Sequence, residues 1–335
     1  MFLIKEVACG KLYIAGEYAV LIDDQPAILV GVNRLVEVSL NDSLFGMIID
    51  SFGNIYNFDF INLKLFEKNQ NNSLLYNTLF WLHKILKFYN LNLKNFKIVI
   101  ANQLFEDNIK IGLGSSGALM VALTKAILKY HNFVFDELFL YKIVVLIQHF
   151  SKMKGSYGDV ACCCFGGCIY YQKPASQFLD KLEFNDLNKH WPLLKIEKIK
   201  IDPLFNMIVF WSKEIAVTDN FVTKFLNADL DNDFLFNSKK NTELLKSSLE
   251  LGNYDDLKLA FSNLDQNLRD LDSKLQLHMF IPTFSEIINK SNYPIKSSGA
   301  GGGDCLVGFV LDSDKEAIKN NQYYLNVEVF NYYES

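Results

Sequence analysis

Positive charge is in short supply in this sequence. Its 33 lysines and arginines stand against 38 aspartates and glutamates, a formal net charge of −5. A general nucleic-acid binder carries a basic surface, so that class is excluded. Any anionic ligand must then be held by individual lysines and backbone amides. A long uncharged run is also missing. Lys5 and Glu6 interrupt the first apolar residues, and no stretch reaches the roughly 18 apolar residues of a spanning helix, so neither a signal peptide nor a membrane association is expected. The six cysteines are Cys9, Cys162, Cys163, Cys164, Cys168 and Cys305. They include no Cys-x-x-Cys pair with partner histidines, and the crowding of four of them suits no disulfide framework. They read as small buried residues in a reducing cytosol, which implies a cytoplasmic location. Repeats and low-complexity tracts are absent as well.

What is present is ample core. Half of the 335 residues are hydrophobic and 28 are phenylalanine, enough for two domains of ordinary size. The chain is organised around Ile111–Thr124, Ile-Gly-Leu-Gly-Ser-Ser-Gly-Ala-Leu-Met-Val-Ala-Leu-Thr. Glycine lets a backbone turn sharply and lets its amides approach a ligand. The Ala/Leu/Met-rich segment that follows, through about Leu128, predicts a buried helix. A Gly/Ser turn at a helix N-terminus offers unpaired N–H groups and the positive end of the helix dipole, which suits phosphate. It equally suits a simple cap on a core helix. The P-loop pattern is not met, because Ser116 is followed by Gly117-Ala118 where a lysine is needed. A dinucleotide fingerprint lacks its opening strand, since Glu106–Lys110 makes a poor buried one.

Around this centre the pattern predicts strands at Cys9–Ala15, Ala27–Val30 and Leu35–Leu40, the last alternating apolar and polar. A weak hairpin falls in 41–72, a helix over Ser73–Tyr89 with Ser73 as N-cap, a strand at Phe96–Ala101 and a helix at Leu138–Phe150. The polar turn Lys152–Gly158 delivers Asp159 to the edge of an apolar segment, where an Asp acts either as helix cap or as functional carboxylate. Pro174, Pro192 and Pro203, with mixed charge between them, mark a boundary that divides 1–180 from 181–335. Beyond it the pattern predicts a strand at Asn206–Trp211, helices at Thr242–Leu251 and Tyr254–Leu271, and a further helix through Ile288. A second glycine cluster, Lys296-Ser297-Ser298-Gly299-Ala300-Gly301-Gly302-Gly303-Asp304-Cys305, leads into a strand at Leu306–Leu311. Taken singly it is a bulged turn or a place of close backbone approach.

Three stretches in this order, Gly10-Lys11…Gly16-Glu17, Gly112-Leu113-Gly114-Ser115-Ser116 and Gly299–Gly303, resemble the GHMP family of small-molecule kinases. Within it, the opening Gly10–Val20, Lys110, the turn Gly155–Asp159, Trp211–Val217 and Gly-Gly-Gly-Asp-Cys at 301–305 look like the bacterial branch that acts on phosphomevalonate. The resemblance implies an α+β, two-domain GHMP kinase fold with a ferredoxin-like C-terminal domain. It also implies phosphorylation of that acceptor with ATP and Mg²⁺. Gly112, Leu113, Gly114, Ser115, Ser116 and Gly117 would hold the nucleotide phosphates, with Ser115 and Ser116 toward the metal. Lys11, Lys110 and Asp159 would be catalytic. Lys11, Ser156, Tyr157, Gly158, Thr218, Ser298, Gly299, Ala300 and Gly301 would face the acceptor. Mevalonate or homoserine as acceptor, or a non-catalytic ligand-binding member, are the alternatives. Gln148 departs from the pattern: mevalonate kinases carry a metal-binding Glu eleven residues before the catalytic Asp, and an amide supplies no anionic ligand. Oligomeric state is left open.

Overall fold

A computed structural model describes residues 3–214, 219–228 and 232–332. Strands follow the chain as β1 (Leu3–Ala15), β2 (Pro26–Asp42), β3 (Gly46–Ile49), β4 (Ile55–Phe58), β5 (Phe96–Asn102), β6 (Phe105–Glu106), β7 (Ile109–Lys110), β8 (Cys168–Gln172), β9 (Lys195–Ile199), β10 (Phe205–Trp211), β11 (Ile295–Ser297) and β12 (Cys305–Leu311). Helices are α1 (Ser73–Phe88), α2 (Ser115–Tyr130), α3 (Glu137–Phe150), α4 (Gly158–Phe165), α5 (Ser176–Leu179), α6 (Asp219–Leu226), α7 (Asn232–Leu251), α8 (Tyr254–Leu275), α9 (Pro282–Lys290) and α10 (Asp312–Ile318).

The large sheet runs β4-β3-β5-β2-β8-β9, with β1 antiparallel along β2. The long strand β2 shares its other edge between two partners. Val36–Asp42 pairs with β5 and Pro26–Val30 with β8. Its burial follows that division. Residues 26–32 are buried without a break, while 35–42 alternate, as a strand with one covered face must. Helices α2 and α4 lie against the sheet, and α1 and α3 pack on those helices. Helix α2 is the central one, with Ala118, Met120, Val121, Ala122, Leu123, Ala126, Ile127 and Leu128 fully buried. The small antiparallel sheet is ordered β10-β12-β11, and Tyr324 bridges to Phe210 on its free edge. Alternate residues of β12 face opposite ways. Val307 and Phe309 join the main core with Leu245, Leu257 and Phe261 of α7 and α8, and Leu306 and Val310 pack with Phe284 of α9.

The expected α+β class holds. Local boundaries needed correction. Asn72, not Ser73, occupies the N-cap of α1, and Ser73 Oγ instead donates to the Gln70 carbonyl. Helix α7 begins ten residues before Thr242, because polar residues (Ser238, Asn241 and Thr242) are buried on its inner face and break the apolar period. Pro282 opens α9, after Gln276 ends α8 in a left-handed conformation. Glu106–Lys110 forms neither a core strand nor a plain loop but a small exposed hairpin of β6 and β7. Strand β9 extends the large sheet well past residue 180.

Candidate active site

A cleft of about 410 Å³ opens where three turns meet: the one after β1, the one before α2 and the one before β12. Gly114, at the N-cap of α2, has φ +74, a region where a Cβ is strained. A Cβ there would also lie 2.7 Å from Lys11 Cε. The aliphatic stem of Lys11 therefore lies across the helix N-terminus, where the amides and dipole favour an anion. Its backbone N–H donates to the Leu113 carbonyl at 2.9 Å, joining β1 to the loop. Two other glycines of the loop are in close approach to carboxylates. A Cβ on Gly117 would meet Asp159 Oδ2 at 2.7 Å, and one on Gly112 would meet Asp304 Cγ at 2.3 Å.

Asp159 is the second residue of α4 and not its cap. The N-cap is Tyr157, with φ +61. Asp159 faces the first turn of α2 and lines the cleft. Among the described residues no ion pair joins it to Lys11. The turn that delivers it is fixed by buried hydroxyls. Tyr13 and Ser156 share a hydrogen bond of 2.8 Å, Tyr171 donates to the Ser156 carbonyl at 2.5 Å, and Tyr141 bonds Tyr171 at 2.9 Å. Burial, and then the charge of Asp159, raise the phenol of Tyr13 far above its ordinary value. Burial first, with Asp159 second, raises Tyr157 too. Both are therefore neutral hydroxyls in the working range and neither acts as a base.

Of the loop residues singled out in sequence, Gly112, Gly114 and Ser116 line the cleft. Leu113, Ser115 and Gly117 are buried beneath it. Lys11, Lys110, Ser156, Tyr157, Ser298, Gly299, Ala300 and Gly301 also line it, whereas Gly158 is packed under Tyr13 and Tyr171. Thr218 lies outside the described residues. Lys110 is exposed at the end of β7. Sequence reasoning missed Tyr13, Tyr18 and Lys154, which face the same space. Tyr13 and Tyr18 stand inside a quoted motif, but nothing local to the sequence shows which of its side chains point into the cleft. The metal expectation narrows. No group of three or more His, Cys, Asp or Glu able to hold a cation occurs among the described residues. Gln148 lines the cleft as a neutral amide. All six cysteines are buried free thiols, and burial raises the pKa of Cys162, Cys164, Cys168 and Cys305.

The fold is that of the GHMP kinases, as expected, and residues 76–167 match the GHMP kinases N terminal domain. Among individual proteins, the chain is similar to the phosphomevalonate kinase of Streptomyces sp. (strain CL190), at 26% identity over 92% of this chain and 89% of that one. Two solved structures superpose over 98% of the chain. One is the Lin0012 protein of Listeria innocua, with TM-score 0.88 at 24% identity and 99% of that chain covered. The other is the phosphomevalonate kinase of Streptococcus pneumoniae in complex with phosphomevalonate and AMPPNP, with TM-score 0.86 at 26% identity and 100% covered.

Proposed function

We infer that this protein is an ATP-dependent kinase that converts (R)-5-phosphomevalonate to 5-diphosphomevalonate, a step of the mevalonate route to isoprenoids. The observation that carries the reading is the likeness, over nearly the whole chain, to an enzyme solved with phosphomevalonate and an ATP analogue. In this chain the cleft brings a glycine loop at a helix N-terminus together with lysines and a second glycine loop.

The chemistry follows from charge. An acceptor phosphate oxygen attacks the γ-phosphorus of ATP, its new P–O bond forms as the bond to the β,γ-bridging oxygen breaks, and ADP leaves. Catalysis of such a transfer is chiefly positioning and electrostatics. The α2 N-terminus and the amides of Gly112–Ser116 hold the nucleotide phosphates. Lys11, lying along Gly114, brings a cation to the transferred group, with Lys110 at the rim. A phosphomonoester with a second pKa near ~6 is already mostly a dianion at pH 7 and needs no base. Asp159 therefore acts by orientation and charge balance. Ser298–Gly301, with Ser156 and Tyr157, faces the acceptor. Mg²⁺ supplies charge neutralisation on the nucleotide oxygens. Ser116, exposed at the cleft, would help to hold it. Ser115 does not line the cleft, so Ser116 is the hydroxyl we propose there. We place the division between the two halves after Ile199, because β9 belongs to the large sheet. A cytoplasmic location is proposed from the six buried free thiols.

The test is turnover with Mg·ATP across phosphomevalonate, mevalonate and homoserine, read as ADP release and product mass. Phosphomevalonate is expected to exceed the others in kcat/KM by orders of magnitude. Preference for mevalonate or homoserine would overturn the acceptor assignment, and no ATP turnover with any acceptor would leave a non-catalytic ligand-binding protein.

A further inference from the structure

The second glycine loop is held by side chains from the far end of the chain. Glu17 and Lys296 form an ion pair with side-chain exposures of 3% and 0%. Lys296 Nζ also donates to the Ser297 carbonyl at 2.7 Å. One residue beyond Glu17, the Tyr18 hydroxyl donates to the Ala300 carbonyl at 2.5 Å. Tyr18 is held at φ +61, an uncommon conformation for a bulky side chain that persists only when its surroundings impose it. Its phenol is raised above the ordinary value, first by burial, so the donor keeps its proton. Glu17, Tyr18 and Ser298–Gly301 all line the cleft.

We propose that Glu17, Lys296 and Tyr18 are positioning residues that fix the Ser298–Gly301 backbone for the phosphoacceptor. The proposal rests on the acceptor reading above. A buried ion pair contributes little net stability compared with an apolar replacement, but it fixes geometry tightly, because each charge must keep its partner. Gly299 and Gly301 both adopt positive φ, so this loop has few side chains of its own to pin it. The phosphate loop has a separate anchorage, apart from the contact of Asp304 with Gly112. It is held by its own helix, through the Ala118 N–H to Gly114 carbonyl bond of 3.1 Å, and by the Lys11–Leu113 backbone bond. Loss of the clamp therefore weakens acceptor binding and leaves the nucleotide largely alone.

Lys296→Met and Tyr18→Phe test this by two measurements. In steady-state kinetics, KM for phosphomevalonate should rise by roughly tenfold or more in Lys296→Met, where a charged hydrogen-bond set is lost. It should rise by about fivefold in Tyr18→Phe, where one neutral bond is lost. KM for ATP should stay within about twofold in both. In amide hydrogen exchange without substrates, 297–304 should exchange faster while β1 and β2 are unchanged. Equal rises in the two KM values, or unchanged exchange in the loop, would overturn the proposal. Should Lys296→Met fail to fold, Tyr18→Phe, which removes a single oxygen, decides it. If the wild-type protein does not turn over phosphomevalonate, the functional reading fails on its own, and loop exchange alone decides the clamp.

Discussion

The two glycine-rich loops face each other across one cleft, yet they are held in different ways. Gly112–Gly117 takes its course chiefly from the helix it opens, with Asp304, Lys11 and Asp159 packed against its glycines. It opens directly into a sixteen-residue helix, rests on fully buried Ile111 and Leu113, and accepts a long-range backbone bond from Lys11. Ser298–Asp304 is shaped from a distance. Its fixed points include Tyr18 on Ala300, the Glu17–Lys296 pair, the Gly302 N–H bond of 2.7 Å to the Met279 carbonyl and the Asp304 N–H bond of 2.9 Å to the Glu214 carbonyl. Similar composition thus serves two designs: one presents unpaired helix amides to a ligand, the other presents a backbone whose course other segments dictate. The first should break by local crowding, the second by mutations remote in sequence.

The largest effect is expected from Gly114→Val, which combines a strained φ with a clash against the Lys11 stem. kcat/KM should fall on the order of 10³ or more, since losing one preorganised donor alone costs ~10²–10³. ATP affinity measured by calorimetry should fall with it. Intact nucleotide affinity in a folded Gly114→Val protein would remove the loop from the site.

Next comes Lys11→Met, expected to lower kcat by ~10²–10³. Asp159→Asn should also lower kcat, and raising the pH from 7 to 9 should not restore it, because an already ionised acceptor needs no base. Lys11 and Asp159 rest on Gly114 and Gly117 at the start of α2 without a direct ion pair, so they couple through space and through bound phosphate. A double-mutant cycle for kcat should therefore show strong non-additivity. Steady recovery of Asp159→Asn with pH would instead assign it general-base catalysis.

On the other side of the cleft, Gly301→Ala should be milder. Its φ is +77 and the new Cβ would lie 2.7 Å from Met279 Cβ. A backbone strain of ~1–2 kcal/mol predicts a rise of roughly tenfold in acceptor KM with ATP KM unchanged. An equal loss of ATP binding would erase the distinction between the loops. The smallest effect belongs to Lys110→Met. This side chain is exposed, and a solvated charge at about 4 Å is worth ~1 kcal/mol, or about fivefold in rate. A loss as large as that of Lys11→Met would show that Lys110 reaches the transferred group.

Periodicity alone determined the helix after the glycine turn, the change in β2 from continuous to alternating burial, and the strands that carry the motifs. These depend on neighbours within a few residues, which is where composition and period act. The order of the three motifs singled out the glycine turn before α2 and its partners as site candidates, and Lys11, Gly114, Ser116, Asp159 and Ser298–Gly301 line one cleft. What the sequence left undecided depends on the other face of each residue. Ser115 and Ser116 are adjacent and chemically equal, but the start of α2 turns one into the core and the other to the cleft. Asp159 had two roles open in the sequence, and only the packing of α4 on α2 removed the capping role. Lys296 read as one polar residue before a glycine run, and Glu17 as part of a turn. They meet across 279 positions, a pairing that no local pattern encodes, because only the closure of β11 over the turn after β1 takes both charges out of water.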